Sequence, residues 1–361
     1  MSARLLRAWQ RRGPLAALLW PLSRVYAALI ALRRAAYRIG LLRSERLPVP
    51  VLVVGNVVVG GAGKTPTVIA LLRHLRAQGW TPGVISRGYG REGDACLEIR
   101  PDSPSSEAGD EPLLIARATR APLVVGCSRV EAGRLLLAHH PEVDIVVCDD
   151  GMQHWALARD LTVVVFDERG TGNGWLLPAG LLREPWPTRP WGGSELLVLR
   201  TGRSGVAQPP LAPARSGGAV HAAQRELAAE AVDTEGRWRA LGDLADLAAR
   251  DGCALGALAG IAQPQRFFEM LRARGLALAH EVALPDHADA ATLLAALKPG
   301  VRWLCTEKDA IKLFAQLARR DDLNHLELWA VPLEQTPEPA FWVALDRALE
   351  RLSCRHGRQT P

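Results

Sequence analysis

A glycine-rich segment, Gly60-Gly61-Ala62-Gly63-Lys64-Thr65, has residue types and a spacing that suit phosphate binding. Glycines let successive backbone N–H groups turn toward a phosphate chain, and the Lys64 ammonium adds positive charge at its outer end. The strict Walker motif begins with a glycine where this chain has Val58. We expect the backbone of Val58, Val59 and the glycine-rich segment to surround a nucleoside triphosphate, and the Thr65 hydroxyl to bind its Mg²⁺.

Two acids after an apolar run supply the second part of such a site. The run Ile145-Val146-Val147-Cys148 ends in Asp149-Asp150-Gly151. An apolar strand that ends in an acid is the Walker B arrangement, in which the acid holds Mg²⁺ directly or through water. We expect Asp149 to bind the metal, with Asp150 and Glu111 as competing candidates.

Three further segments have an ordinary explanation when each is taken alone. Gly109-Asp110-Glu111-Pro112 opens a helical pattern, and its proline and acids suit a first helical turn. Pro285-Asp286-His287 precedes another helical pattern, and Thr306-Glu307-Lys308-Asp309 has the spacing of a capping box. Singly, these segments are weak signals for chemistry, because a helix start explains each of them as well.

The elements that must position these residues form two α/β patterns in a chain of 361 residues. Short apolar runs without alternation, separated by helices, predict a parallel sheet that is buried on both faces. The first pattern has predicted strands at 49–55, 84–86, 123–126, 144–148, 161–166 and 195–199, the last of them ending the sheet, and predicted helices at 64–77, 113–118 and 129–139. The second has predicted strands at 254–259, 276–282, 303–305 and 326–331, and predicted helices at 264–273, 290–297 and 340–352.

These patterns predict the fold class and the domains. We expect an α/β protein with a P-loop NTPase-type parallel sheet flanked by helices in residues 47–202. Residues 203–218, rich in Gly, Pro, Ala and Ser, are the predicted linker. Residues 219–361 are predicted to form a smaller α/β domain that contributes to the active-site cleft.

The first 46 residues form a basic arm, with ten arginines and one acid, whereas the whole chain has a net charge of only +6. Arginines with interleaved apolar side chains suit an anionic lipid surface better than a nucleic acid, so we expect no nucleic-acid partner. A helix lying on the membrane is favoured over a span, because Pro21, Ser23 and Arg24 stand near the middle of the apolar stretch. A helix packed on its own domain is the remaining alternative. The apolar residues are Leu15, Leu18, Leu19, Trp20, Leu22, Val25, Tyr26, Leu29, Ile30 and Leu32.

The six cysteines are far apart and include no CxxC pair, so neither a disulfide framework nor a zinc site is expected. Such a chain suits a reducing compartment.

Taken together and in order, the motifs resemble the tetraacyldisaccharide 4′-kinase family of the lipid A pathway. The resemblance runs from the basic arm to about residue 315. The residues that carry it are Val54-Gly55-Asn56, residues 60–66, Ser86-Arg87-Gly88-Tyr89-Gly90-Arg91, Gly109-Asp110-Glu111-Pro112, Asp149-Asp150-Gly151-Met152-Gln153-His154, Leu177-Pro178-Ala179-Gly180, Leu182-Arg183-Glu184-Pro185, Gly260-Ile261, Pro264, Arg266-Phe267-Phe268, Pro285-Asp286-His287 and Thr306-Glu307-Lys308-Asp309.

The resemblance implies a reaction and a place for it. The γ-phosphoryl group of ATP, bound with Mg²⁺, would pass to the 4′-hydroxyl of a tetraacylated disaccharide 1-phosphate and give lipid IVA. The enzyme would act as a monomer on the cytoplasmic face of the inner membrane, attached through the basic arm.

The resemblance also implies roles for residues. Asp110 would be the base and His287 its partner from the second domain, while Lys64 and Arg183 would meet phosphate charge. Lys308 and Asp309 would contact the nucleotide base or the hinge.

Two other classes share the P-loop. One is a GTPase or metallochaperone, although guanine selection normally needs Asn-Lys-x-Asp, and residues 306–309 here are Thr-Glu-Lys-Asp. The other is a non-enzymatic membrane-anchored ATPase switch or scaffold, which would hydrolyse ATP without a lipid acceptor and would not need the second domain that carries His287.

Overall fold

The computed structural model describes residues 8–61, 63–188, 190–202, 211–214, 218–286, 288–318, 320, 323 and 326–355. The chain forms two compact units. The larger unit consists of Met1–Ser103, Ile115–Gln224 and Gln335–Pro361, and the smaller one of Pro104–Leu114 and Arg225–Glu334.

The elements are numbered along the chain. The strands are β1 Val51–Gly55, β2 Pro82–Ser86, β3 Leu97–Ile99, β4 Leu123–Val125, β5 Ile145–Asp149, β6 Leu161–Phe166, β7 Glu195–Gly202, β8 Val220–Leu227, β9 Glu230–Asp233, β10 Trp238–Ala240, β11 Ala254–Ala259, β12 His280–Ala283, β13 Val301–Thr306, β14 Glu327–Val331 and β15 Leu333–Pro337. The helices are α1 Pro14–Arg38, α2 Lys64–Ala77, α3 Ser105–Ala108, α4 Asp110–Thr119, α5 Arg129–His139, α6 Leu241–Arg250, α7 Pro264–Ala273, α8 Ala290–Ala295, α9 Glu307–Leu317 and α10 Pro339–Arg355.

A nine-stranded sheet, in the order β15-β8-β7-β6-β1-β5-β2-β4-β3, forms the centre of the larger unit. Strands β8 to β4 of this order run parallel, and β3 pairs antiparallel with β4. Every residue of β1, β2, β5 and β6 is buried, as expected for a parallel sheet that is covered on both faces. The predicted α/β fold with a large parallel sheet is confirmed.

The sheet continues beyond the strand that the sequence placed at its end. Strand β8 pairs in parallel with β7, and β15 follows β8 at the edge. The residues of β8 alternate between buried and less buried positions, which is the pattern of a strand near a sheet edge and differs from the buried runs of the centre. Of the predicted linker, residues 203–210 and 215–217 lie outside the described residues.

The smaller unit contains a six-stranded sheet in the order β10-β9-β14-β13-β11-β12. Its strands β14, β13, β11 and β12 are parallel, while β9 pairs antiparallel with β14 and β10. Two hydrophobic clusters pack around it, and Trp303 and Phe268 are fully buried in them. Helix α10, predicted as the closing helix of this domain, instead belongs to the larger unit.

Helix α1 differs from the other long helices because little of it is buried. Of its 25 residues, Ala16 and Ser23 are the buried ones. Leu18, Leu22, Val25, Leu29 and Leu32, here called the leucine face, are each between 57% and 75% exposed. By length and composition, α1 is the one helix among the described residues that is apolar enough to cross a membrane.

Candidate active site

The glycine-rich loop begins where the buried strand β1 ends. Asn56 is fully buried, and its side-chain amide donates a hydrogen bond to the Gly60 carbonyl across 3.2 Å. Val58 is also fully buried and forms a bridge with Leu182, while the Val59 N–H donates to the Leu181 carbonyl at 2.9 Å. Both valine side chains pack in the core and the Val59 N–H is already used, so phosphate contacts fall mainly to the backbone of the glycine-rich segment that follows.

The loop ends in a left-handed residue that starts helix α2. Gly63 has φ of +82°, a conformation in which glycine avoids the strain of a Cβ atom. The Thr67 hydroxyl donates to the Gly63 carbonyl at 2.8 Å and accepts a hydrogen bond of 2.5 Å from the Gln335 amide. The first turn of α2 is thus held from within and from strand β15. Ala62 lies outside the described residues.

Lys64 and Arg183 approach the same carboxylate oxygen. The Lys64 Nζ atom lies 3.6 Å from Asp150 Oδ1, and an Arg183 guanidinium nitrogen lies 3.4 Å from that oxygen. The same guanidinium nitrogen donates to the Asn56 side-chain oxygen at 3.2 Å. Two cations beside a helix N-terminus make this point attractive to a polyanion.

Asp149, the last residue of β5, is almost completely buried next to the phosphate loop. Its Cα atom pairs in register with that of Val54 on strand β1. One carboxylate oxygen accepts a hydrogen bond from the Ser86 hydroxyl across 3.1 Å. Asp149 at the end of β5 and Thr65 at the start of α2 each carry the kind of hard oxygen donor that Mg²⁺ prefers.

A magnesium ion in this place would depend on phosphate oxygens and water as well as on the protein. In the described part of the chain, no three His, Cys, Asp or Glu side chains are grouped to hold a metal by themselves. Mg²⁺ commonly uses one or two protein oxygens together with substrate phosphates and water. The donor set therefore fits a nucleotide-bound Mg²⁺ better than a resident metal.

The loop after β5 packs very closely. A Cβ atom on Gly151 would overlap the Cys148 sulfur, so a larger residue does not fit without movement. Arg159 holds the loop by donating to the Met152 and His154 carbonyls, both at 2.8 Å. His154 is kept neutral, since burial together with nearby arginines lowers its pKa to about 4.

Asp110, the expected base, is paired with a residue that sequence analysis did not single out. It stands at the start of helix α4 in the smaller unit, after Gly109 with φ of +81°. The Lys312 ammonium, from helix α9 of the same unit, lies 2.9 Å from Asp110 Oδ2 and donates to the Ala288 carbonyl at 3.0 Å. Lys312 therefore connects the carboxylate to the segment next to position 287. His287 itself lies outside the described residues.

The other predicted site residues of the smaller unit have separate surroundings. Lys308 lies 3.5 Å from the Asp286 carboxylate, and Glu111 is exposed on α4. Asp309 is buried, and its carboxylate accepts hydrogen bonds from the Gly260 N–H at 3.0 Å and the Thr306 hydroxyl at 2.6 Å. Its N–H also donates to the Thr306 hydroxyl, so Thr306 is the N-cap of α9, as one half of the predicted capping box requires. A nucleotide contact by Asp309 would require these internal bonds to be given up.

Comparison with known proteins identifies the family to which the chain belongs. A model of the family described as LpxK, tetraacyldisaccharide-1-P 4′-kinase, matches residues 15–350. The chain belongs to this family. It is therefore an enzyme of the phosphotransferase class, related over its whole length to curated kinases.

Two curated relatives and one solved structure illustrate the relationship. The tetraacyldisaccharide 4′-kinase of Polaromonas naphthalenivorans (strain CJ2) is 52% identical over 364 residues, covering 100% of both chains. That of Acidovorax sp. (strain JS42) is 53% identical, covering 98% of this chain and 96% of the relative. The crystal structure of the "apo" form of LpxK from Aquifex aeolicus, in complex with ATP, superposes with a TM-score of 0.74 at 26% identity, covering 94% of this chain and 99% of that chain.

Sequence analysis assigned no role to three residues that support the site in this LpxK fold. Asn56, Ser86 and Lys312 each touch a predicted site residue through a single polar atom. Asn56 and Ser86 lie in motifs that carry the family resemblance, and this position could have indicated that they support the site. Lys312 has no such signal, since its partner Asp110 is about 200 residues away along the chain.

Proposed function

We propose that this chain transfers the γ-phosphoryl group of ATP to the 4′-hydroxyl of a tetraacylated glucosamine disaccharide 1-phosphate, forming lipid IVA and ADP. The observation that carries the proposal is the convergence of Lys64 and Arg183 on Asp150, beside the glycine-rich loop of a chain that belongs to this kinase family. Both cations are placed to exchange the Asp150 carboxylate for the phosphates of a bound nucleotide. They would then balance the charge that develops on the transferred group.

Mg²⁺ is the metal that this donor set would accept. Thr65 and Asp149 would hold it, with Ser86 orienting the Asp149 carboxylate. When bound, the ion would neutralise phosphate charge and orient the nucleotide. Asp150, which already faces Lys64 and Arg183, is better placed to position those two cations.

Asp110 is the residue we propose as the base. In the reaction the acceptor hydroxyl would lose its proton to the Asp110 carboxylate as its oxygen bonds to the γ-phosphorus, and the bond from that phosphorus to the departing ADP oxygen would break. Lys312 supports this role by holding the Asp110 carboxylate in place, at 2.9 Å from its ammonium group. The family resemblance assigns His287 as the partner of this acid.

Helix α1 is the part of the chain that we propose lies on an anionic membrane, on its cytoplasmic face. The leucine face supports this placement because five large apolar side chains are exposed together. Three other side chains of α1 bind the larger unit, since Ser23, Tyr26 and Arg34 donate hydrogen bonds to residues 176–188. A helix that crossed the membrane would have to abandon these bonds, so a helix lying in the interface fits better.

The deciding experiment uses purified full-length protein, γ-labelled ATP, Mg²⁺ and the disaccharide lipid in detergent micelles. We expect label in the lipid, no label after Mg²⁺ is chelated, and no label with the Asp110→Ala variant, which should still bind ATP. ATP hydrolysis without labelled lipid would support a switch and reject the kinase proposal. A strong preference for GTP would favour the GTPase class instead.

A further inference from the structure

The loop that carries Arg183 has little regular structure of its own. Residues 167–194 contain no strand or helix among those described, apart from isolated bridges at Leu176 and Leu182. The position of the Arg183 guanidinium therefore depends on what holds its backbone. One anchor is the neighbouring β1 segment, because the Arg183 N–H donates to the Val57 carbonyl at 2.6 Å.

Helix α1 supplies further anchors to this loop. The Ser23 hydroxyl donates to the Leu176 carbonyl at 2.8 Å and accepts from the Ala179 N–H at 3.0 Å. The Tyr26 hydroxyl donates to the carbonyl of Arg183 itself at 3.1 Å. One face of α1 thus binds the loop, while the leucine face is turned away from it.

Helix α1 also forms an ion pair with the residue next to Arg183. An Arg34 guanidinium nitrogen lies 2.5 Å from the carboxylate of Glu184, and it also donates to the Thr188 hydroxyl at 3.2 Å. The Glu184 side chain is only 2% exposed and that of Arg34 20%. Burial raises the pKa of Glu184, and the charge of Arg34 opposes that change. A carboxylate buried this far keeps its charge only where a cation stays beside it.

We propose that Arg34 is a positioning residue of the phosphate site, acting through Glu184 on Arg183. Helix α1 is then a structural part of the catalytic centre as well as the helix that meets the lipid surface. Gln153, Arg159 and Arg183 also lower the pKa of Glu184, but Arg34 forms the ion pair with it. Without Arg34 we expect the Glu184 side chain to shift, and the peptide that it shares with Arg183 to move with it. The inference rests on the proposed function in one respect, the role of Arg183 at the phosphates.

The test combines Arg34→Gln with Arg183→Gln and measures kcat and KM for ATP in micelles. Since a misplacement of about 1 Å can cost on the order of 100-fold, we expect Arg34→Gln to lower kcat by about 10- to 100-fold. In the Arg183→Gln background the same change should add less than about twofold, because its target is already gone. Glu184→Gln, which is isosteric, should show the same dependence on Arg183, and Arg34→Lys should recover part of the activity.

The matched control is Arg351→Gln, which removes another arginine–glutamate pair of the larger unit. Arg351 binds Glu195 on the surface, outside the Arg183 loop, and exposed pairs contribute little, so we expect kcat within about twofold of the original. Equal losses from Arg34→Gln in both backgrounds would mean a general effect on folding, and unchanged kcat would mean no effect; either result overturns the proposal.

ATP affinity, measured by calorimetry, keeps this inference separate from the proposed function. If the original chain labels no lipid, the lipid-kinase proposal fails. The ATP affinities still test whether Arg34 positions Arg183. If it does, Arg34→Gln weakens ATP binding in the original chain and not in the Arg183→Gln variant. Thermal melting of each variant accounts for the folded fraction.

Discussion

Replacing Lys312 with Met tests the best-defined contact of the proposed base. The substitution keeps a side chain of similar length and removes the ammonium that lies 2.9 Å from Asp110 and 3.0 Å from the Ala288 carbonyl. Both charged side chains of the pair are only 13% exposed, so water replaces the lost partner poorly. We expect Asp110 to lose its fixed orientation while the helices around it remain.

The size of the effect follows from the contact that is lost. A hydrogen bond to a charged group contributes about 1.5–3 kcal/mol. If that energy holds Asp110 in its reactive position, its loss lowers kcat by about 10- to 150-fold, since about 1.4 kcal/mol corresponds to a factor of ten. Lys312→Arg, which keeps the charge, should lose much less.

The assay is the initial rate of lipid labelling at saturating ATP, together with a thermal melt of each variant. Lys298→Met is the control, because Lys298 is an exposed lysine of the same unit. A kcat for Lys312→Met within about twofold of the original, in a preparation where Asp110→Ala is inactive, would refute the positioning role. A lower melting temperature with unchanged kcat would assign Lys312 to stability alone.

Three other predictions concern membrane binding, pH and packing. Leu29→Glu should reduce sedimentation with anionic phosphatidylglycerol vesicles and leave the rate in micelles near the original, because it places a charge on the leucine face; unchanged sedimentation would contradict this. The pKa of Glu98 is lowered by its histidine partners, and that of His140 is raised by its carboxylate partners although burial opposes this. The stability that comes from the lowered pKa of Glu98 is present above its ordinary value of 4.5 and is lost as pH falls through the lowered pKa. The stability that comes from the raised pKa of His140 is present below its ordinary value of 6.5 and is lost as pH rises through the raised pKa. Glu98→Gln should therefore lower the melting temperature most near pH 5–6, roughly between those two values, and a loss that grew toward pH 9 would contradict the assignment. Gly151→Ala should destabilise the protein by about 1–3 kcal/mol in denaturant titrations, and Cys148→Ala in the same chain should recover part of it; no recovery would show that the sulfur is not the obstacle.

The sequence predicted what depends on short stretches of chain. The phosphate loop, the acid at the end of β5 and the capping box at Thr306 are each contained in a few consecutive residues, and local physics places them. The order of the motifs added the family. Helix α2 was predicted with its observed bounds for the same reason.

What the sequence did not reveal depends on distant segments meeting. Arg34 and Glu184 are 150 residues apart, and either is an ordinary charged residue until both are seen buried together. Strand β8 was not recognised as part of the large sheet, since its alternation resembles any half-exposed strand. The chain returns to the larger unit at Gln335, whereas the predicted second domain runs on to the last residue. A prediction that divides the sequence into consecutive domains cannot describe a unit that is built from three separate segments.

The hydrogen bond from Gln335 to Thr67 has a consequence for how the protein folds during its synthesis. Thr67 belongs to the first turn after the phosphate loop and is synthesised 268 residues before Gln335. A chain folds from its N-terminus during synthesis, so the phosphate loop is made long before Gln335 can bind Thr67. We expect a chain truncated before Gln335 to bind nucleotide more weakly than the full chain, because the first turn of α2 then lacks this hydrogen bond.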